Sequence, residues 1–114
     1  MSRRYEISVW IKGFTPEKKE AIRKAAEEEW GFDHKEWREN EDETWNRGRD
    51  DLASDEDEES FSQELAETVW KANGGFCWVE VSTLYLDDLP YRVQEFGKEE
   101  FEELVQLRKG GSHG

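Results

Sequence analysis

An α+β fold built on one antiparallel sheet is the fold class that this sequence predicts. Residues 4–12 and 76–86 alternate polar and apolar side chains, as half-buried strands do. Residues 15–31 and 60–73 repeat apolar side chains at helical spacing. Two short segments between them complete the order strand, helix, strand, strand, helix, strand. That order is the ferredoxin-like split βαβ (β-α-β-β-α-β) arrangement, here with an appended C-terminal strand and short helix.

The first strand and helix have the clearest signals. In RYEISVWIKG the apolar residues from Tyr5 to Ile11 occupy alternate positions, and Trp10 falls on the opposite face among polar neighbours. In FTPEKK, Thr15 is the predicted N-cap and Pro16 the first helical residue. Gly31 is the predicted end of this helix.

The middle of the chain predicts a strand pair and a second helix. FDHKEWREN and ETWNRGRDDLA are interpreted as two strands joined by a turn at residues 40–42. SDEDEES is an acidic connector, and Ser60 with Gln63 predicts a capping box at the start of the second helix. Asn73 and the two glycines after it predict that this helix ends there.

The C-terminal third predicts a strong strand, its hairpin partner and a last helix. In FCWVEVSTLYL, Val79 and Val81 are expected to pack under the helices, which places Trp78 on the other face. LPYRVQEF is the expected hairpin partner. KEEFEELVQLRK predicts a short helix whose inward residues are Phe101, Leu104, Val105 and Leu107. We expect a single domain over residues 1–109 and a flexible tail over 110–114.

The composition combines high charge with many aromatic residues. The 114 residues have a formal net charge of −13 and are 39% charged, yet they include six Trp, six Phe and three Tyr. That aromatic content predicts a folded domain, because disordered chains are poor in large rings. Residues 39–59 hold 11 acids and 2 bases. This charge disfavours direct binding to nucleic acid or to an anionic membrane and favours a basic protein partner.

The sequence offers little for catalysis or for a cofactor. Cys77 is the single cysteine, so no internal disulfide can form and a reducing, cytoplasmic location is expected. Asp55, Asp57 and Glu59 have the spacing of a calcium loop, but Ser60 and Ala66 stand where that loop needs glycine and glutamate. His34 is interpreted as a solvated strand residue. We expect a non-enzymatic protein without metal or cofactor and without a membrane span.

The acidic segment suggests two interpretations. One is that its charges only keep a small protein in solution. The other is that rigidly held carboxylates imitate the charge density of nucleic acid and occupy the basic site of a nucleic-acid-binding protein. The residues predicted to form this acidic surface are Glu39, Glu41, Asp42, Glu43, Asp50, Asp51, Asp55, Glu56, Asp57, Glu58 and Glu59.

An alternative site is the sheet face that the helices leave open. Trp10 and Trp78 are expected there on neighbouring strands, with Trp45 nearby. Base stacking is disfavoured, because only Lys12 is expected beside the rings. The rings are expected either to be covered by cross-strand pairs and the appended elements or to contact a protein partner or a second copy of the chain.

From VWKANGGFCWVEV through LYLDDLPYRVQEF, the chain resembles a group of small acidic proteins of bacteria and their phages whose function is unknown. The resemblance covers nearly the whole chain, from a YEISVWIKGF-like strand to the YLDDLP hairpin. Its motifs mark turns and helix ends and carry no catalytic residues. It implies an inhibitor of host defence, in the manner of anti-CRISPR or anti-restriction proteins, that acts by acidic mimicry of nucleic acid.

Overall fold

The computed structural model of the chain describes residues 3–52, 57–85 and 92–111. It confirms the α+β class. The elements are β1 (Arg3–Lys12), α1 (Lys19–Glu29), β2 (Arg38–Asn40), β3 (Glu43–Leu52), α2 (Glu58–Asn73), β4 (Trp78–Tyr85), β5 (Arg92–Phe96) and α3 (Lys98–Gly111). Short 3₁₀ turns occupy Pro16–Lys18 and His34–Glu36.

All five strands form one antiparallel sheet in the order β2-β3-β1-β4-β5. The central strand β1 pairs along its whole length with β3 and over eight residues with β4. The first strand and the last main strand are therefore neighbours, as predicted. β5 extends the sheet beyond β4, so the number and order of the strands differ from those of a simple four-stranded split βαβ sheet.

The core lies between one face of the sheet and the helices. From β1, the alternate residues Tyr5 to Ile11 are buried, and Val79 and Val81 are buried beside them. Helix α2 adds Leu65 and Val69 to this layer, and α1 packs against α2. The predicted inward and outward faces of β1 and β4 are confirmed.

The first helical segment begins where predicted, with Thr15 at the N-cap position and Pro16 first, but as a 3₁₀ turn, and α1 ends at Glu29, two residues before the predicted Gly31. The Thr15 side chain makes no capping hydrogen bond; its backbone amide instead donates to Oδ1 of Asn73 at 2.8 Å. A 3₁₀ turn follows, and α1 begins only at Lys19. At the other end, Trp30 is already extended, and its indole nitrogen donates to the Gly48 carbonyl at 2.9 Å. This bond to β3 draws the chain out of the helix before Gly31.

The predicted strand over residues 32–40 shortens to the three residues of β2. His34 lies in a 3₁₀ turn and not in a strand, because the Asp33 carboxylate accepts a hydrogen bond from the Lys35 amide at 2.9 Å. The Asn46 amide group binds the Asp33 carbonyl at 2.9 Å and fixes this turn to β3. The predicted hairpin turn between β2 and β3 is confirmed.

The N-cap of the second helix lies three residues before the predicted cap, Ser60. Asp57 is the N-cap, and its carboxylate accepts a hydrogen bond from the Ser60 amide at 2.6 Å. Ser60 therefore lies inside the helix. The predicted end is confirmed, since Gly74 takes a left-handed conformation with φ of 78° that glycine adopts without strain.

The C-terminal elements pack as expected where they are described. β5 pairs with β4, and the Phe101 ring meets Trp70 edge to face, with centroids 5.0 Å apart. Leu104 packs on the same cluster. The start of the predicted hairpin, the acidic connector at 53–56 and the predicted inward side chains of Val105 and Leu107 lie outside the described part of the chain.

Candidate functional site

The sheet face turned away from α1 and α2, called the open face below, carries the predicted aromatic residues. Trp10 on β1 lies directly opposite Trp45 on β3. Their rings are stacked, with centroids 4.9 Å apart and planes inclined by 22°. Trp10 is nevertheless 40% exposed. The pair is thus a cross-strand stack that stabilises the sheet and still offers ring surface to a partner.

Trp78 lies on the open face but is half-buried. A Cβ at Gly97 would lie 2.9 Å from its ring, so the ring packs directly on the backbone between β5 and α3. The Lys12 ammonium lies 5.7 Å from the ring centroid. Trp78 therefore covers the sheet where the appended elements join it; Trp45 is half-buried like Trp78, and Trp10 is the exposed ring of the three.

Charged residues surround the stacked pair in equal numbers of each sign. The strand registers place five bases and five acids on the open face: Arg4, Lys12, Arg38, Arg47, Arg49, Glu6, Glu43, Asp51, Glu80 and Glu95. The prediction that only Lys12 would lie near the rings is wrong. Arg38 on β2 is directly opposite Trp45 on β3, and Arg47 lies two residues after Trp45 on β3. The alternation of Trp45, Arg47 and Arg49 along β3 indicates that these three share a face, but the position of Arg38 depends on the pairing of β2 with β3.

A shallow depression of about 910 Å³ crosses the middle of the open face. Trp10, Trp45 and Arg38 line one side of it, and Ser82 and Val93 line the other. Val93 is 46% exposed, although it is apolar. The depression mixes aromatic, apolar and charged side chains, the composition that is common at protein–protein contacts.

The predicted acidic surface is divided between two ends of the sheet. Glu39, Glu41, Asp42 and Glu43 lie at the β2–β3 turn, whereas Asp50 and Asp51 lie at the far end of β3. At ~3.3 Å per strand residue the two groups are roughly 25–30 Å apart. The structure therefore forms two acidic patches from these residues. Asp55 and Glu56 lie outside the described residues.

Several of these carboxylates already have partners inside the molecule. Glu39 accepts hydrogen bonds from Lys19 at 3.1 Å and Arg23 at 3.3 Å, and the bond from Lys19 holds the pKa of Glu39 below its ordinary value. Glu58 accepts a hydrogen bond from the Tyr5 hydroxyl and pairs with Arg92 at 3.5 Å. Glu41, Asp42 and Glu59 are exposed.

A second depression, of about 520 Å³, lies on the helix side of the molecule. Its apolar lining consists of Trp70, Phe101 and Leu104, and its acidic lining includes Glu64 and Glu67 of α2. Sequence spacing does not reveal this depression, because it forms where α3 packs against α2.

The structure places Cys77 and His34 in different environments. The Cys77 thiol is buried, and burial raises its pKa to about 12, so it is protonated at neutral pH. His34 is exposed, and its Nδ1 lies 2.8 Å from Oε2 of Glu27; this hydrogen bond raises the pKa of His34. Within 3–52, 57–85 and 92–111, no three His, Cys, Asp or Glu side chains converge as metal ligands would.

None of the helices among the described residues has the length and apolar content needed to cross a membrane. No protein-family model matches the chain, and neither a curated protein nor a solved structure shows significant similarity to it. The open face and the acidic patches are therefore interpreted from their own chemistry.

Proposed function

We propose that the chain is a non-catalytic binding protein whose acidic patches occupy the basic site of a nucleic-acid-binding partner. The observation that carries this proposal is the separation of charge. The open face is balanced, whereas the other described side chains include 20 acids and only 8 bases. A surface of this sign attracts basic grooves and competes with phosphates for them.

The fold offers a rigid base for such a surface. The β2–β3 turn holds Glu41 and Asp42 at one end of the sheet, and the N-terminus of α2 holds Glu59 near the other. We propose that this base is a ferredoxin-like sheet extended by β5. The pairing of β1 with both β3 and β4 supports that assignment. The proposed partner class, a host defence complex that binds nucleic acid, follows the resemblance to phage-associated acidic proteins.

The test is capture of a partner from bacterial lysate on immobilised protein, followed by elution with duplex DNA. We expect DNA to release a nucleic-acid-binding protein, because both ligands compete for one basic site. Neutralising the turn with Glu41→Gln and Asp42→Asn should weaken capture by about tenfold, equivalent to about 1.4 kcal/mol.

The matched control removes two carboxylates from the open face, with Glu80→Gln and Glu95→Gln. This variant has the same net charge as the turn variant and should retain the DNA-released partner. Capture that resists DNA and is unchanged by neutralising the turn would contradict nucleic-acid mimicry.

A second candidate function is protein binding through the open face. The exposure of the stacked Trp10–Trp45 pair and of Val93 favours it, since exposed aromatic and apolar groups with charged neighbours are common at interfaces. In that case changes on the open face would abolish partner binding, while changes at the β2–β3 turn would not.

A further inference from the structure

The open face carries opposite charges on its two halves. Residues that lie directly opposite one another on neighbouring strands form a row across the sheet. In the row of the stacked pair, Arg38 on β2 and Trp45 on β3 lie to one side of Trp10. Glu80 on β4 and Glu95 on β5 lie to the other side. The next row begins with Arg47 on β3. Because β1 is the central strand, Trp10 lies near the midline between two halves of opposite net charge. The basic half holds three arginines against Glu43 and Asp51, whereas the described charges of the acidic half are Glu80 and Glu95.

The acidic half is not neutralised within the chain. Glu80 and Glu95 are directly opposite each other across the β4–β5 pair, an arrangement in which like charges repel. Among the described residues neither carboxylate is within ion-pair distance of a base, and Arg38 and Arg47 are likewise without an acidic partner. Both halves therefore have charge available for an external partner.

We infer that the open face binds a second copy of this chain in a symmetric dimer whose two-fold axis runs parallel to β1. Rotation about such an axis lays β2 and β3 of one copy over β4 and β5 of the other. Arg38 of each copy then faces Glu95 of its partner, and the two Trp10 side chains meet near the axis. The same rotation sets the Glu6 and Lys12 side chains of β1 against their own copies along the axis. An axis perpendicular to the strands would instead lay Arg38 over Arg38 and Glu95 over Glu95, so the charges of the outer strands favour the first arrangement.

Other occupants match only half of this face. A nucleic acid would bring phosphates against Glu80 and Glu95, and a basic peptide would leave Arg38 and Arg47 without partners. The chain's own open face has both signs in the complementary order.

The size of the face is suitable for a dimer. β1 is ten residues long, and five strands lie side by side. The strands hold 10, 3, 10, 8 and 5 residues, so at ~3.3 Å per residue and ~4.8 Å per strand the flat area is roughly 570 Å². Stable interfaces bury about 800 Å² on each partner, and the side chains add to the flat area. The exposed Trp10 and Val93 would lose water on association.

This inference rests on the second candidate function, that the open face is a contact surface, and it is independent of the acidic patches. A dimer that forms through the balanced open face would leave the acidic side of each copy exposed, so the acidic patches would remain available to a partner.

The experiment is sedimentation velocity combined with light scattering, on the full chain at about 0.15 M salt, where the Debye length is about 8 Å and repulsion between the two acidic bodies is screened. We expect a species of twice the chain mass of 13.5 kDa. Arg38→Glu and Glu95→Lys should each raise the dimer dissociation constant about tenfold or more. The double variant should restore dimerisation, because each copy again presents opposite charges to the other.

Glu64→Lys is the matched control, since it makes the same charge change as Glu95→Lys at an exposed position on α2. It should leave the dimer intact, and circular dichroism should show that every variant is folded. A wild-type chain that stays monomeric up to about 100 µM, a dimer insensitive to Glu95→Lys, or single variants that the double variant does not rescue would each overturn the inference. If Arg38→Glu nevertheless blocks capture of a different protein, the second candidate function stands without the dimer.

Discussion

Gly48 lies where the connection between α1 and β2 crosses β3 at backbone distance. A Cβ at this position would lie 2.5 Å from the Gly31 carbonyl oxygen. The same crossing allows the Trp30 indole to donate to the Gly48 carbonyl. The absence of a side chain at residue 48 therefore permits both the close approach and the hydrogen bond that ends α1.

We predict that Gly48→Ala lowers the free energy of unfolding by about 1–3 kcal/mol, because the clash is with backbone atoms that cannot rotate away. The measurement is urea denaturation followed by tryptophan fluorescence. Gly75→Ala is the control: a Cβ there meets nothing within 4 Å, and its backbone does not need glycine. A Gly48→Ala variant as stable as Gly75→Ala would contradict the close packing.

At the scale of elements, the helices and strands were predictable where one face is buried, but their ends were not. The alternation in β1 and β4 predicted which residues face the core, because a strand residue has only two sides. The start of α2 was misplaced, since Asp57, Ser60 and Gln63 all have side chains that can cap a helix. The choice depends on backbone direction at residue 57, which sequence spacing does not report.

The candidate site was predicted in part for the same reason. Trp10 and Trp78 were placed on the correct face because their strands alternate strongly, and Trp45 was expected close by. Arg38 and Arg47 were missed, since β2 and β3 are mostly polar and the register that aligns them with Trp10 comes from tertiary pairing.

We predict that Asp57→Ala lowers the free energy of unfolding by about 1 kcal/mol, the usual cost of losing an N-cap side chain. The Asp57 carboxylate accepts a hydrogen bond from the Ser60 amide, and its charge also stabilises the positive end of the helix. Ser60→Ala should have little effect on the unfolding midpoint. If Ser60→Ala destabilised the protein in thermal or urea unfolding and Asp57→Ala did not, Ser60 would be the N-cap residue.

At the scale of the whole molecule, the net charge of −13 opposes folding because like charges are brought together. Attractive pairs, such as Glu39 with Lys19 and Arg23, offset part of this repulsion. Since acids outnumber bases 20 to 8 among the described side chains off the open face, repulsion should exceed attraction near pH 7.

We predict that adding salt at neutral pH raises the melting temperature by roughly 5 °C, which corresponds to about 1 kcal/mol for a domain of this size. Circular dichroism during heating measures it, and sodium and potassium chloride should act equally if the effect is screening. A melting temperature that falls with salt would mean that the ion pairs outweigh the repulsion.

The central position of β1 has a consequence for how the protein is made. β1 is synthesised before both of its neighbouring strands, which are residues 43–52 and 78–85. Its buried side chains therefore wait until residue 52 for the first neighbouring strand and until residue 85 for the second. Sheet formation that depends on such distant pairings is slow, and an unpaired apolar strand is prone to aggregate. A nascent chain that stalls before Trp78 would expose one edge of β1, so the sheet should close only after residues 78–85 have been made.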